Sequence, residues 1–221
     1  ASLVESLSIP LQQIARVAAG HNDFSDQQRE ILNQVAEMDE VAGAYTAWSS
    51  DPVKNLVYSK ESQQYIKDHK YELLKIYLAV GCRHPFTYLK AWVDETKGYW
   101  NAGYPYWRWT DEVMENSYGI KQTIHSVFLD RCLKEYLWLF SENRFLQLFL
   151  SIGLYIWIDL FLCILSICRG DRAGIFICIP ILAIVATLVI STPVYAEFRY
   201  IYAVFCSLPF LIAAVFSSSA V

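Results

Sequence analysis

The sequence predicts a mainly α-helical protein, in which a polar helical domain precedes about three transmembrane helices. The mean hydropathy of the 221 residues is only +0.26, yet nearly all of the charge lies before Phe145. Helical periodicity, with no convincing strand pattern, runs through residues 1–144. Residues 145–221 are long apolar runs, which is the composition of lipid-facing helices. The few ionisable acidic or basic residues within them are Asp159, Arg169, Asp171, Arg172, Glu197 and Arg199.

The first helices of residues 1–144 follow from start and stop signals. Ser8, placed before Pro10, predicts a helix that Gly20 ends. Ser25 and Gln28 have the spacing of a capping box, which predicts the start of a second helix.

Later helices follow from apolar residues at helical spacing. They predict a helix from Ser62 to Val80 that ends at Gly81, and another that Pro85 opens and that runs to about Lys97. A last helix of this domain, roughly residues 123–140, leads into the apolar region.

Three apolar runs predict the membrane helices: about residues 145–168, 173–192 and 200–217. At about 1.5 Å per residue, the first run can cross a hydrocarbon layer of about 30 Å. A soluble protein could instead bury such runs as core helices, but core helices usually keep a polar stripe, and none is visible here. We therefore expect a multi-pass protein of the cell membrane.

The ends of the chain indicate whether the sequence is part of a longer protein, and the charges that flank the apolar runs bear on its orientation in the membrane. The chain opens with alanine, has no secretory signal pattern, and stops in or just after an apolar run, so we expect it to be part of a longer protein. Basic residues flank the apolar runs on both sides, so charge alone does not decide which side of the membrane residues 1–144 occupy.

Asp159 lies near the middle of the first run, where an ionised carboxylate is costly unless it is paired, hydrated or protonated. Two interpretations stay open. Asp159 either marks a polar path between helices or forms a hydrogen bond to a neighbouring helix, for example at Thr187.

An aromatic stretch from Tyr99 to Trp109 is the densest feature of its kind in the chain. Flat rings with polar neighbours suit the apolar faces and the hydroxyls of sugars. The alternative is that the stretch lies on the bilayer surface or packs the domain. The candidate sugar-binding residues are Tyr99, Trp100, Asn101, Trp107, Trp109 and Asp111.

Other chemistries have little support in the sequence. The histidines are scattered, and Cys82-Arg83-His84 lacks a second ligand pair, so no metal site is predicted. The sequence contains neither a glycine-rich phosphate loop nor a nucleophile elbow, so it predicts neither a cofactor nor a hydrolase. The formal charge of −4 argues against a nucleic-acid partner. Whether Cys82 pairs with Cys132 is left open.

Four separated segments resemble, in the same order, the late region of a domain-of-unknown-function family of polytopic membrane proteins from Gram-positive bacteria. They are Leu7–Gln13, Ser50–Asn55, Gly98–Trp100 and Glu197–Tyr200. That family is distantly similar to the C-type glycosyltransferases, which take a sugar from a polyprenyl-phosphate carrier at the outer membrane face.

The resemblance implies that residues 1–144 are extracytoplasmic, that Arg169–Arg172 turns inside the cell, and that the protein acts in cell-envelope glycan assembly. In the implied reaction an acceptor hydroxyl attacks the anomeric carbon and the lipid phosphate leaves. C-type enzymes usually carry the catalytic carboxylate in a first external loop that this sequence lacks. We therefore expect no catalysis from these residues alone and assign no catalytic residue.

The resemblance also suggests a donor-phosphate contact at Arg199, beside Glu197 and Tyr200, because guanidinium offers phosphate a two-pronged hydrogen bond. The alternative is that Arg199 only anchors the chain at the lipid head groups. The partners implied are membrane lipid, a polyprenyl-phosphate sugar and envelope glycan. A second function is a non-catalytic membrane module that binds envelope glycan or a partner protein. The donor, the acceptor and the oligomeric state are left open.

Overall fold

A computed structural model describes residues 3–20, 23–104, 116–121, 126–191 and 196–217. Within these ranges the chain is mainly α-helical and contains no strand, only an isolated bridge between Thr46 and Ser49. The predicted fold class is therefore confirmed. The helices are α1 Ser8–Gly20, α2 Asp26–Asn33, α3 Met38–Ala44, α4 Asp51–Leu56, α5 Lys60–Asp68, α6 Lys70–Arg83, α7 Pro85–Trp100, α8 Val127–Glu142, α9 Arg144–Phe149, α10 Ile152–Arg169, α11 Arg172–Ser191 and α12 Tyr202–Ser217.

The helices predicted from start and stop signals are confirmed. α1 has the predicted bounds. At the start of α2, the Gln28 backbone N–H donates to the Ser25 hydroxyl at 3.2 Å, and the Ser25 N–H donates to the Gln28 side chain at 3.1 Å. This completes the predicted capping box. α7 begins at Pro85 as predicted.

The single helix predicted from Ser62 to Val80 is wrong, because His69 divides it into α5 and α6. The His69 backbone leaves the helical conformation, with φ −110° and ψ 21°. Its ring stacks on Tyr65 with 4.0 Å between the ring centroids. The apolar spacing continues across this break, so the pattern alone could not reveal it.

Gly81 does not end α6, which continues to Arg83. A Cβ on Gly81 would lie 2.8 Å from Cε2 of Tyr88. The glycine therefore leaves room for the Tyr88 ring of α7 against α6 and does not stop the helix.

Two apolar clusters form the core of residues 3–88. The larger joins α1, α2, α3, α4, α6 and the start of α7. The smaller lies beneath a 3₁₀ turn, Leu3–Leu7, and α5. The fully buried members include Ala15, Val17, Val53 and Val80 in the larger cluster and Val4 in the smaller.

The first predicted span is also divided. The Asn143 side chain accepts hydrogen bonds from the backbone N–H groups of Phe145 and Leu146 at 3.0 and 3.2 Å, which starts the short helix α9. α10 begins only at Ile152. Ile152–Arg169 in α10 and Arg172–Ile190 in α11, of 18 and 19 residues, are long and apolar enough to cross a membrane. α12 is apolar but shorter.

α10 and α12 run in the same direction, and α11 returns antiparallel to them. Gly170, with φ +67°, adopts the left-handed conformation that ends α10. The Asp171 carboxylate then accepts hydrogen bonds from the first turn of α11. At this end of the bundle, Arg169 donates to the Val215 carbonyl at 3.5 Å and lies 5.4 Å from the centre of the Phe216 ring. α12 therefore reaches the same level as the end of α10.

Candidate functional site at the α7 junction

The second half of α7 contacts the end of α11 and the residues just before α12. The Trp92 indole N–H donates to the carbonyl of Val189 in α11 at 2.9 Å. Gly98 lies against Ala196, just before α12, so closely that an added Cβ would overlap the alanine side chain. We call this region, from Trp92 to Tyr104 with its contacts, the α7 junction.

The start of α10 packs on the chain that leaves α7. The Trp157 indole N–H donates to the Trp100 carbonyl at 2.6 Å. A Cβ on Gly153 would lie 2.6 Å from the carbonyl carbon of Asn101 and 2.7 Å from the backbone nitrogen of Ala102. Only a glycine allows α10 to approach this backbone so closely.

One member of each of two predicted sets of site residues is found at the junction. Tyr99, from the aromatic stretch, is fully buried, and its hydroxyl is hydrogen-bonded to the backbone of Glu197. Burial raises the pKa of the Tyr99 phenol, so this hydroxyl stays neutral. The Glu197 carboxylate in turn forms an ion pair with Arg199. One predicted sugar-binding residue, Tyr99, and one predicted phosphate-binding residue, Glu197, are therefore neighbours.

Arg199 is held at the surface of the junction. Its guanidinium donates to the Tyr200 hydroxyl at 3.0 Å and lies 4.9 Å from the centre of that ring. About two thirds of the Arg199 side chain stays exposed, compared with a fifth of the Glu197 side chain. Arg199 is therefore both oriented and accessible, as an anion-binding group must be.

A cavity of about 540 Å³ lies beside the junction, between the turn that follows α7 and helix α9. This volume is within the range of sites for small molecules. Its wall combines a guanidinium and an amide with apolar groups, which suits a ligand that is anionic or polar at one end and apolar at the other. The lining residues are Ala102, Gly103, Tyr104, Arg144, Gln147 and Leu148.

The individual candidate residues of the aromatic stretch have different surroundings. Trp100 is half-exposed, and its indole N–H donates to the Thr96 hydroxyl at 3.2 Å. Asn101 uses its side-chain oxygen to accept the Gly103 N–H at 2.9 Å, which shapes the turn at the cavity edge. The remaining candidates, Trp107, Trp109 and Asp111, lie outside the described residues.

Asp159 lies within α10, away from the cavity lining. It is buried, and within the described ranges neither carboxylate oxygen has a hydrogen-bond partner. The Thr187 hydroxyl donates to the Ala183 carbonyl at 2.8 Å instead. The hydrogen bond considered between Asp159 and Thr187 is therefore not formed, and the polar path stays a prediction.

A buried charged cluster supports α7 from the side of α4. The Lys54 ammonium, almost fully buried, contacts Glu5 at 2.8 Å and Asp51 at 3.0 Å. Glu95 of α7 is 2% exposed, and burial raises its pKa to about 8, although the nearby Ser50 hydroxyl and Lys54 ammonium act in the opposite direction. In the described part of the chain its two oxygens have no hydrogen-bond partner.

The four segments that carry the family resemblance converge on α7. Gln13 of the first segment donates to the Tyr88 carbonyl at 3.1 Å. The second segment supplies Ser50 and Lys54 beside Glu95. The third is the end of α7 itself, and the fourth contains Glu197, which contacts Tyr99. Segments far apart in sequence thus surround one helix.

Sequence reasoning missed Arg144, Gln147 and Tyr104 as cavity residues, and Trp157 as a contact of the junction. Arg144 lies at the edge of the first apolar run, and only this position in the sequence could have marked it as a candidate binding residue. The cavity itself depends on the turn after α7 meeting α9, which no local pattern encodes.

Comparison with known proteins identifies a family that matches nearly the whole chain. The model of a family of unknown function, DUF6020, matches residues 2–220. No curated protein and no solved structure matches the chain significantly.

Proposed function

The chain belongs to the DUF6020 family of unknown function, and we propose that it binds a polyprenyl-phosphate sugar at the outer membrane face, as part of a glycosyltransferase of cell-envelope glycan assembly. One observation carries this proposal. At the α7 junction, Tyr99 of the predicted sugar-binding set contacts Glu197 of the predicted phosphate-binding set, α10 and α12 begin, and a cavity opens alongside. A lipid-linked sugar needs this combination of an apolar bundle, a positive group and a polar pocket.

Each part of the ligand has a matching surface. The phosphate would bind the guanidinium of Arg199 or of Arg144, since both offer paired N–H donors. The sugar would occupy the cavity that Tyr104 and Gln147 line. The half-exposed ring of Trp100 precedes the turn at the cavity edge. The prenyl chain would follow the apolar outer surface of α10, where Phe161 is exposed.

The proposed transfer is an inverting displacement. The acceptor oxygen forms a bond to the anomeric carbon, the bond from that carbon to the phosphate oxygen breaks, and the prenyl phosphate leaves with the electron pair. A carboxylate base takes the hydroxyl proton, and we do not assign that base here. Arginine near the leaving phosphate would stabilise its growing negative charge, which is the contribution we propose for this chain.

Donor binding can be tested with the 221-residue chain in nanodiscs. Farnesyl phosphate and farnesyl phosphoryl mannose serve as the probes, and tryptophan fluorescence reports their binding. We expect Arg144→Ala or Arg199→Ala to weaken binding at least about tenfold, because a charge-assisted hydrogen bond contributes about 1.5–3 kcal/mol. Arg83→Ala, at the end of α6 and thus beside the start of α7, away from the junction, is the charge-matched control and should leave affinity unchanged.

The outcomes separate the proposal from its alternative. Equal affinity of both arginine variants and the wild type would remove the phosphate site. Binding of a soluble envelope oligosaccharide, without binding of either farnesyl probe, would favour a non-catalytic glycan-binding module.

The proposed topology is multi-pass, with α10, α11 and α12 crossing the membrane and residues 1–144 outside the cell. Cys82 is a free and exposed thiol in the helical domain. A variant that keeps Cys82 and has its other five cysteines replaced by serine should react with a membrane-impermeant maleimide in intact cells. Cys82→Ser in the same background is the control for background labelling. Reaction only after lysis would place the domain inside the cell.

A further inference from the structure

Helix α8 divides into a charged half and an apolar half. At 100° per residue, Arg131, Lys134 and Glu135 fall on one side, where Arg131 and Glu135 form an ion pair at 3.3 Å. The opposite half of the helix carries only apolar side chains and a tyrosine. These residues are Phe128, Leu129, Cys132, Leu133, Tyr136, Leu137, Leu139 and Phe140.

The described part of the protein does not cover this apolar half. No described side chain of α8 is buried. Phe128 is 73% exposed, Leu129 62% and Tyr136 52%. Single exposed apolar residues are ordinary, but a continuous stripe along four turns of helix indicates a binding surface.

The position of α8 in the chain identifies what the stripe contacts. α8 ends at Glu142, and only the short helix α9 and three further residues separate it from α10. Six helical residues extend only about 9 Å, so the end of α8 lies close to the level at which α10 enters the membrane. α9 carries two further exposed aromatic side chains, Phe145 and Phe149. Exposed apolar residues are thus present along the chain from α8 through α9 to α10, where Trp157 and Phe161 are exposed.

We infer that α8 lies in the plane of the membrane surface, with its apolar half among the lipid head groups and upper acyl chains and its charged half in water. Two basic and three acidic residues stand on α8, so the helix has little net charge. Burial of apolar area, and not attraction to anionic lipid, would therefore hold it there. This inference rests on the proposed membrane insertion of α10 and not on sugar transfer.

The test is a spin-label scan of the 221-residue chain in phosphatidylcholine nanodiscs. Single cysteines are labelled in a cysteine-free background, and collision with oxygen, which partitions into lipid, is compared with collision with a water-soluble nickel chelate. Labels at Leu129→Cys, native Cys132 and Leu133→Cys should favour oxygen. Labels at Arg131→Cys and Lys134→Cys should favour nickel. The ratio of oxygen to nickel collisions should therefore vary along α8 with a period of about 3.6 residues.

A label at Ile164→Cys, an exposed position within α10, is the reference for insertion. Nickel access at every α8 position would overturn the inference. Access of neither agent to the apolar half would also overturn it, and would indicate that a protein partner or a second copy covers this surface. If the Ile164→Cys label lacks oxygen access, α10 is not inserted in the membrane and the proposed topology is wrong as well. If that label has oxygen access, a negative result on α8 contradicts only the inference about α8.

The wild-type protein offers a second measurement, which does not depend on the folding of a cysteine-free variant. Cys82 and Cys132 are both free and exposed to the space around the chain. In nanodiscs, a polar maleimide should modify Cys82 at least about ten times faster than Cys132, as read by peptide mass spectrometry. Equal rates would place Cys132 in water and overturn the inference.

Discussion

Replacement of Gly153 by alanine is expected to destabilise the protein by about 3 kcal/mol. Overpacking a tightly packed contact typically costs about 1–3 kcal/mol, and we expect the upper end because the atoms in the way belong to the backbone. The new Cβ would lie 2.6 and 2.7 Å from backbone atoms of Asn101 and Ala102. A side chain can rotate away from an intruding methyl group, but a backbone can only shift as a whole. α10 would be pushed away from the turn that borders the cavity.

Thermal unfolding of the Gly153→Ala chain in nanodiscs measures this effect. At roughly 2–4 °C per kcal/mol for a chain of this size, the midpoint should fall by about 6–12 °C. Gly43→Ala is the matched control, because nothing lies within 4 Å of the position that its Cβ would take. An alanine there should be neutral or slightly stabilising, since Gly43 is inside helix α3. An unchanged midpoint for Gly153→Ala would contradict the close approach of the two backbones.

The elements that local chemistry determines could be predicted from the sequence. The capping box at Ser25, the helix start at Pro85 and the turn around Gly170 each depend on residues within a few positions of one another. The break at His69 could not be predicted, because apolar spacing continues through it. The helices α3 and α4 were missed for a related reason, since a helix of six or seven residues is too short to show a period.

The candidate site was predictable in its residue types but not in its assembly. The sequence singled out Tyr99 and Glu197 separately, and the structure brings them together. That contact depends on α7 lying across the ends of the apolar helices, which is a long-range arrangement. It also depends on Gly98 and Gly153, whose importance lies in what they touch and not in their local conformation.

Glu95 is expected to make the stability of the protein fall as pH rises, in contrast to an ordinary paired carboxylate. In the folded chain, burial raises its pKa from 4.5 to about 8. Between these values the folded state holds a proton that the unfolded state has lost, so folding takes up a proton. The contribution of Glu95 to stability is therefore fully present below about pH 4.5 and is lost as pH rises toward 8. Within that window the slope approaches about 1.4 kcal/mol per pH unit.

Glu95→Gln removes this titration while keeping the shape of the side chain, so the difference between the two proteins isolates the effect from all other groups. From pH 5.5 to pH 8.5, the unfolding free energy of the wild type should fall by about 3 kcal/mol relative to Glu95→Gln. The exposed Glu72, changed to Gln, is the matched control and should follow the wild type. Parallel pH profiles for wild type and Glu95→Gln would mean that Glu95 is solvated and that α7 does not close over the cluster at Lys54. Because α7 also positions Tyr99 and the cavity edge, a confirmed slope would link the protonation of Glu95 to the packing that holds the proposed site together.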